Sequence, residues 1–297
     1  MENRGLIYRK HGKGTFAHGR GTRPTKMVAL LLKTSPQTEH WPISEMIRGI
    51  QNILSVQRVP VLLVNTSPSE WTPEMAGNLG GVIVFPSQVT SADLIELNNR
   101  KLPYIIAGET IALPGPQVSL GQTEAARKTT ENLLQQGHRQ IALLTGYDPN
   151  FDAAKREGIY QALRAAHVDP AAVPEFDATR CEGGAEGAVR AILALHPSAV
   201  VAFDDSLATL LCLRARQDMG LTIPGNMSVA SFHDSPYLRY LDPSLTTVQF
   251  DFLGAGRAAA EALNRAMLTG EPVQNITFEP IHRPGQTMIS VDHGISS

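Results

Sequence analysis

Short apolar strands alternate with amphipathic helices along almost the whole chain, and this pattern leaves few folds open. MVALLL at 27–32 is a continuous apolar run, as in a strand buried on both faces. Behind it Ile43, Met46, Ile47, Ile50, Ile53 and Leu54 recur at spacings of three and four, the signature of one buried helix face, with Pro42 just before or in the first turn. VPVLLV at 59–64, GVIVF at 81–85 and PYIIA at 103–107 repeat the strand pattern, with helical stretches near 73–79 and 91–100 between them. A second set follows a loop-rich break at 108–118. It has strands at 140–145, near 173–177, at 199–203 and at 227–232, and helices near 122–136, 152–166, 184–195 and 206–219. A short extended piece near 246–249 leads into a helix over about 251–268, and short strands are expected near 274–279 and 287–291.

Strand–helix alternation of this kind builds parallel, doubly wound sheets. Nine or ten strands exceed one sheet of usual size, so two sheets of five or six are expected, with a cleft between two lobes as the natural ligand site. The fold class is therefore α/β. The 297 residues suffice for two lobes with separate cores. No apolar run reaches the ~18 residues needed to span a bilayer, and the polar, basic start has no secretory h-region. Two cysteines, Cys181 and Cys212, show no metal-binding spacing and suit a reducing cytoplasm.

Charge is unevenly spread. The chain carries a formal charge of -2, yet residues 1–26 hold seven of its 26 Lys and Arg and one of its 28 acids. A basic arm on an acidic body suits contact with a polyanion through the arm; a solvated tail has the same composition.

Several segments resemble a known family in order and spacing. QGHRQIALLTG at 136–146, VVAFDDSLA at 200–208, PGNMSVASFHD at 224–234 and LTTVQFDFLGAGRAAAEAL at 245–263 resemble the sensor domain of the lactose/galactose repressor (LacI/GalR) family. HWPISEMIRGIQ at 40–51, GGVIVFP at 80–86 and LPYIIAGE at 102–109 fit more loosely. This resemblance implies a two-lobed periplasmic-binding-protein-like fold, each lobe a doubly wound, mainly parallel sheet. It divides residues 27–297 into lobe 1 (about 27–120 plus 249–280) and lobe 2 (about 121–248 plus 281–291), after a remnant at 1–26. GLIYRKHGKGTF at 5–16 is similar to the wing hairpin of GntR-type winged-helix domains, two short strands around a glycine-bearing tip. Arg9, Lys10, His11 and Lys13 surround that tip and are the expected DNA contacts. The helices that would enter a major groove should precede Glu2, so weak or absent DNA binding is expected of these 297 residues.

Ligands of open α/β sheets sit beyond the carboxyl ends of the strands. Together with the resemblance, this rule gives Trp41, Ser87, Glu109, Phe151, Lys155, Asp204, His233, Asp234 and Phe250 as effector-binding candidates. Acids, amides and flanking aromatic faces are what a sugar requires. In KREG at 155–158 a lysine stands where the family often has arginine, with Arg156 one residue off; the family's Asn-Asp becomes Asp204-Asp205 and its Asp-Asp becomes His233-Asp234. These departures point to an effector other than a simple neutral hexose. Asp205 and Asp234 also suit helix or turn caps, and Trp41 and Phe250 suit core or hinge packing. No nucleophile elbow, P-loop or His-Glu-x-x-His is present, so catalysis is not expected, and no cofactor or metal is called for. The expected role is a cytoplasmic, homodimeric, ligand-responsive transcription regulator, a repressor in type, whose lobes close on a sugar or related metabolite. A free-standing solute-binding protein is the alternative.

Overall fold

The computed structural model describes residues 7–10, 14–17, 26–33, 41–146 and 149–291; for 7–10, 14–17, Pro149 and Phe151 it describes backbone alone. Of the expected DNA contacts, Arg9 and Lys10 lie on a described strand, and His11 and Lys13 lie outside the described residues. β1 (Ile7–Lys10) and β2 (Gly14–Ala17) pair antiparallel, with Ile7 opposite Ala17 and Lys10 opposite Gly14.

The first lobe is built on six parallel strands. They are β3 (Met27–Leu31), β4 (Val61–Val64), β5 (Leu79–Val84), β6 (Tyr104–Ala107), β7 (Gln117–Ser119) and a late strand, β13 (Ile276–Thr277), in the order β13-β7-β6-β5-β3-β4. Alternate residues of β3 serve different cores, as the two-residue repeat of a strand requires. Val28 and Leu30 join the core beneath α1 (Trp41–Val56) and α8 (Phe252–Thr269). Ala29 and Leu31 join the opposite core, with Leu94 and Leu97 of α3 (Ser91–Asn99). The short helix α2 (Pro73–Gly77) lies between β4 and β5. Helices α1 and α8 cross at glycine. A Cβ on Gly49 would run into the carbonyl of Leu253, and one on Gly256 into that of Met46, so only glycine permits this approach.

The second lobe is built on β8 (Ile141–Thr145), β9 (Glu175–Asp177), β10 (Ala199–Ala202) and β11 (Ser228–Ser231), parallel in the order β11-β10-β8-β9. Helices α4 (Gln122–Gln135) and α5 (Pro149–Ala165) cover one face. Helices α6 (Gly184–Ala194) and α7 (Asp205–Met219) cover the other, over Ala142, Leu144, Val200 and Val229. The first sheet has six strands, within the expected five or six, and the second has four. In the first sheet β7, a three-residue strand closing the loop-rich break, lies between β6 and the late strand β13. The extended piece β12 (Thr247–Gln249) leaves the second sheet and pairs antiparallel with β14 (Ile281–Arg283). Residues 287–291, expected as a strand, run beside the second lobe through scattered bonds instead: Val229 N–H to Thr287 O at 2.7 Å and Val291 N–H to Gln136 O at 2.8 Å.

The described chain passes from one sheet to the other three times, after β7, through β12 into α8, and from β13 through β14. Three connections, none longer than a few residues, join the two sheets without a long linker. Among the described residues no helix is long and apolar enough to cross a membrane.

Candidate functional site

The carboxyl ends of both sheets face the region between the lobes, and two cavities lie there. The inner one, about 40 Å³, is lined by Pro42, Ile43 and Met46 of α1, Gly108, Leu120, Gln122, Asp152, Lys155, His233 and Phe252. The outer one is an open groove of about 500 Å³, lined by Trp41, Glu45, Arg48, Asp234, Phe250, Asp251 and Phe252 among others. Four rings separate them. His233 lies edge-on to Phe252 (centroids 5.3 Å), Phe250 (5.9 Å) and Trp41 (6.4 Å), and Trp41 meets Phe252 edge-on at 5.4 Å.

The inner cavity divides by lobe. Its first-lobe wall is hydrocarbon: Ile43, Met46 and Phe252. Its second-lobe wall carries Gln122 at the start of α4 and Asp152 and Lys155, one turn apart on α5. Lys155 is buried, 3 % exposed. Its Nζ donates to the Phe203 carbonyl at 3.0 Å, stands 3.5 Å from Asp152 Oδ1 and lies 5.6 Å from the centre of the Phe203 ring. Arg156, the neighbour on the helix, faces elsewhere: Nε donates to both oxygens of Glu175 at 3.1 Å, and that carboxylate raises the guanidinium pKa further. The helical turn thus presents the lysine to the cavity and the arginine to a strand of its own lobe. Gln122 is 3 % exposed, and its Oε1 has no hydrogen-bond partner.

The sequence-derived candidates fall into three groups. Lys155 and His233 line the inner cavity; Trp41, Asp234 and Phe250 line the outer groove. Ser87, Glu109 and Asp204 line neither. Phe151 lies in the first turn of α5, and its side chain lies outside what is described. His233 holds a left-handed backbone (φ 72°), unusual for a residue other than glycine, and its carbonyl accepts from Thr247 Oγ1. Trp41 Nε1 is buried without a partner. Asp234 stands 3.9 Å from Arg283, and burial raises its carboxyl pKa.

Glu109 holds the lobe junction. Its carboxylate accepts from Gln122 N–H at 2.6 Å, Thr123 Oγ1 at 2.8 Å and Ser119 Oγ at 2.9 Å. A first-lobe acid thereby satisfies the orphan amides of a second-lobe helix. Asp204, rather than Asp205, caps α7: Oδ1 accepts from Leu207 N–H at 2.9 Å, while Asp205 Oδ2 accepts from Ser235 N–H at 2.9 Å. Burial pushes the Asp204 carboxyl up to about 6, and its Oδ2 has no partner. Ser87 is buried in the turn after β5, which Asn150 of α5 grips from the other lobe: Nδ2 donates to Pro86 O at 2.9 Å and Val89 O at 3.3 Å.

Residues 130–286 match the model of the periplasmic binding protein-like domain. That match covers more than half of the chain. The chain belongs to the periplasmic binding protein-like domain family. Its relatives include the transcriptional regulator GalS of Salmonella typhimurium, 34 % identical over 147 residues, 48 % of this chain and 43 % of GalS. Catabolite control protein A of Priestia megaterium is 25 % identical over 280 residues, 90 % of this chain and 82 % of the relative. The chain thus spans under half of GalS and most of catabolite control protein A. Among solved structures, a LacI family transcriptional regulator from Enterococcus faecium with bound ribose superposes with a TM-score of 0.76 at 21 % identity, over 90 % of this chain and all of the other. GalS and the Enterococcus faecium protein are transcriptional regulators.

Of the groups lining the inner cavity, Gln122, Asp152 and Phe252 were not among the sequence-derived candidates. Asp152 carried a signal, since it stands three residues before Lys155 on one helix face. Phe252 was two residues from the chosen Phe250. Gln122 carried none, because the bond that fixes its backbone comes from Glu109, in the fold's other lobe. Among the described residues no group of three or more His, Cys, Asp or Glu side chains is placed to hold a metal.

Proposed function

We propose that this chain is the effector-binding part of a ligand-responsive transcription repressor, acting as a cytoplasmic homodimer, with the effector, a sugar or related metabolite, held in the inner cavity. The observation that carries this reading is that the buried Lys155–Asp152 pair and Gln122, whose oxygen has no partner, line one interlobe cavity. Buried polar groups of this kind are costly unless a ligand completes them. The ribose-bound neighbour and a cellobiose complex of the regulator CelR (TM-score 0.74, 21 % identity, 89 % of this chain and 86 % of the other) support a carbohydrate-like effector. The lobes are assigned as about 27–120 plus 249–280 and about 121–248 plus 281–291, so that the effector touches α1 and α8 on one side and α4 and α5 on the other. An effector preferring the closed arrangement shifts the equilibrium toward it, and that shift is the signal passed to DNA. The β1–β2 hairpin is assigned as the wing of a GntR-type winged helix, with Arg9, Lys10, His11 and Lys13 as its DNA contacts.

The test is a thermal-shift screen of ribose, cellobiose and related sugars, followed by small-angle scattering with the sugars that raise the midpoint. Stabilisation with compaction is expected. Stabilisation with unchanged scattering curves contradicts lobe closure, and no stabilisation by any sugar contradicts the effector class.

A further inference from the structure

The inner cavity is balanced in charge. Its one Lys or Arg among the described lining residues is Lys155, with Asp152 one turn away on the same helix at 3.5 Å, and both side chains are about 5 % exposed or less. Neighbouring cations are already engaged: Arg156 on Glu175, Lys33 on Asp93 at 2.7 Å, and Arg48 on Glu45 at the outer groove. The stretches following β3 and β8, residues 34–40 and 147–148, contain no lysine or arginine. A phosphate or carboxylate entering this cavity would lose its water and gain no unpaired fixed cation, a heavy penalty for a buried charge. The same cavity contains the opposite need, because Gln122 Oε1 is a buried acceptor with no donor. An incoming hydroxyl or N–H satisfies it; an anionic oxygen repels it.

Building on the sensor reading, we infer that the inner cavity selects a charge-neutral effector that donates a hydrogen bond to Gln122 Oε1, and that it rejects phosphorylated and carboxylate ligands. The expectation of an effector unlike a neutral hexose rested on Lys155 in place of arginine and on the Asp204-Asp205 and His233-Asp234 pairs; the Asp152 carboxylate beside Lys155 points instead to a neutral ligand. Gln122 is the specificity-determining residue, since it is the lining group with an oxygen left unbonded.

Inorganic phosphate at millimolar concentration is the probe, compared with sodium chloride at matched ionic strength, and the thermal midpoint is the readout. Phosphate should leave the unmodified chain where chloride leaves it. In Asp152→Asn, where Lys155 loses its counter-charge, phosphate should raise the variant's own midpoint by about 2 °C or more. In Gln122→Leu the unpaired acceptor is gone, so the ligand-free midpoint should rise by about 2 °C, and phosphate should still be ignored. The inference is overturned if phosphate stabilises the unmodified chain and Lys155→Met abolishes the effect, which would leave a sensor of anions and the broader reading intact. It is equally overturned if phosphate fails to stabilise a folded Asp152→Asn. A fall in the Gln122→Leu midpoint makes Gln122 structural and also overturns it; this arm decides where Asp152→Asn does not fold.

Discussion

The inner cavity and the outer groove share Phe252 and are separated by a single layer of rings, yet they are built on opposite terms. The inner cavity is small, with hydrocarbon from one lobe and a balanced charge pair from the other. The outer groove is open, and its rim carries Glu45, Asp234, Asp251 and Glu279 against Arg48. Charges at an open rim are screened and worth little, whereas the same charges in a closed space decide what enters. On the proposed function, lobe closure and ligand choice are joined at the inner cavity, whose walls come from both lobes and whose polar groups water reaches least.

The largest effect expected is from Lys155→Met. It removes one partner of a buried pair and leaves Asp152 without its cation, at a cost of about 3 kcal/mol, read by denaturant unfolding at pH 7. A loss below about 1 kcal/mol would put that pair in the same class as the rim charges.

Asp204 gives the next effect, and it has a pH signature. Its folded carboxyl titrates at about 6, above the unfolded 3.8, so the folded chain holds the extra proton between those values. Stability contributed by the protonated carboxyl is present below about pH 4 and is lost as pH rises through 6, by roughly 3 kcal/mol in total. Asp204→Asn keeps an oxygen for the Leu207 amide and removes the titration, so unfolding free energies measured from pH 4 to 7 should lose this component. An unchanged pH profile would return Asp204 to an ordinary solvated carboxylate.

A smaller effect is expected from Asn150→Ala. The amide spans the lobes through Pro86 O and Val89 O, and its loss should weaken this interlobe contact by about 1–2 kcal/mol. Scattering should show a more extended ligand-free chain; identical curves would mean the grip does not hold the lobes. Asp234→Asn, at the outer groove, should change stability by less than about 0.5 kcal/mol, since its partner Arg283 is half-exposed and 3.9 Å away.

The alternation of buried strands and amphipathic helices was legible because both faces of each parallel sheet are covered, leaving continuous apolar runs such as 27–32 and 199–203. β7 was not legible: three residues, with Val118 alone buried in it, carry no period. The site was half-legible for the same kind of reason. Lys155 could be placed by its position before Gly158, but its neutralisation by Asp152 and the turning of Arg156 to Glu175 depend on helix rotation. Glu109 and Asp204 have the chemistry of ligand contacts and are occupied with helix amides, a use fixed by three-dimensional placement of α4 and α7.

The most direct test is calorimetric titration of the most stabilising neutral sugar into the unmodified chain, Gln122→Leu and Asp234→Asn. Placement of the effector in the inner cavity predicts that Gln122→Leu weakens binding about tenfold or more and Asp234→Asn leaves it within about twofold. Binding retained in Gln122→Leu and lost in Asp234→Asn would move the effector to the outer groove and contradict the account.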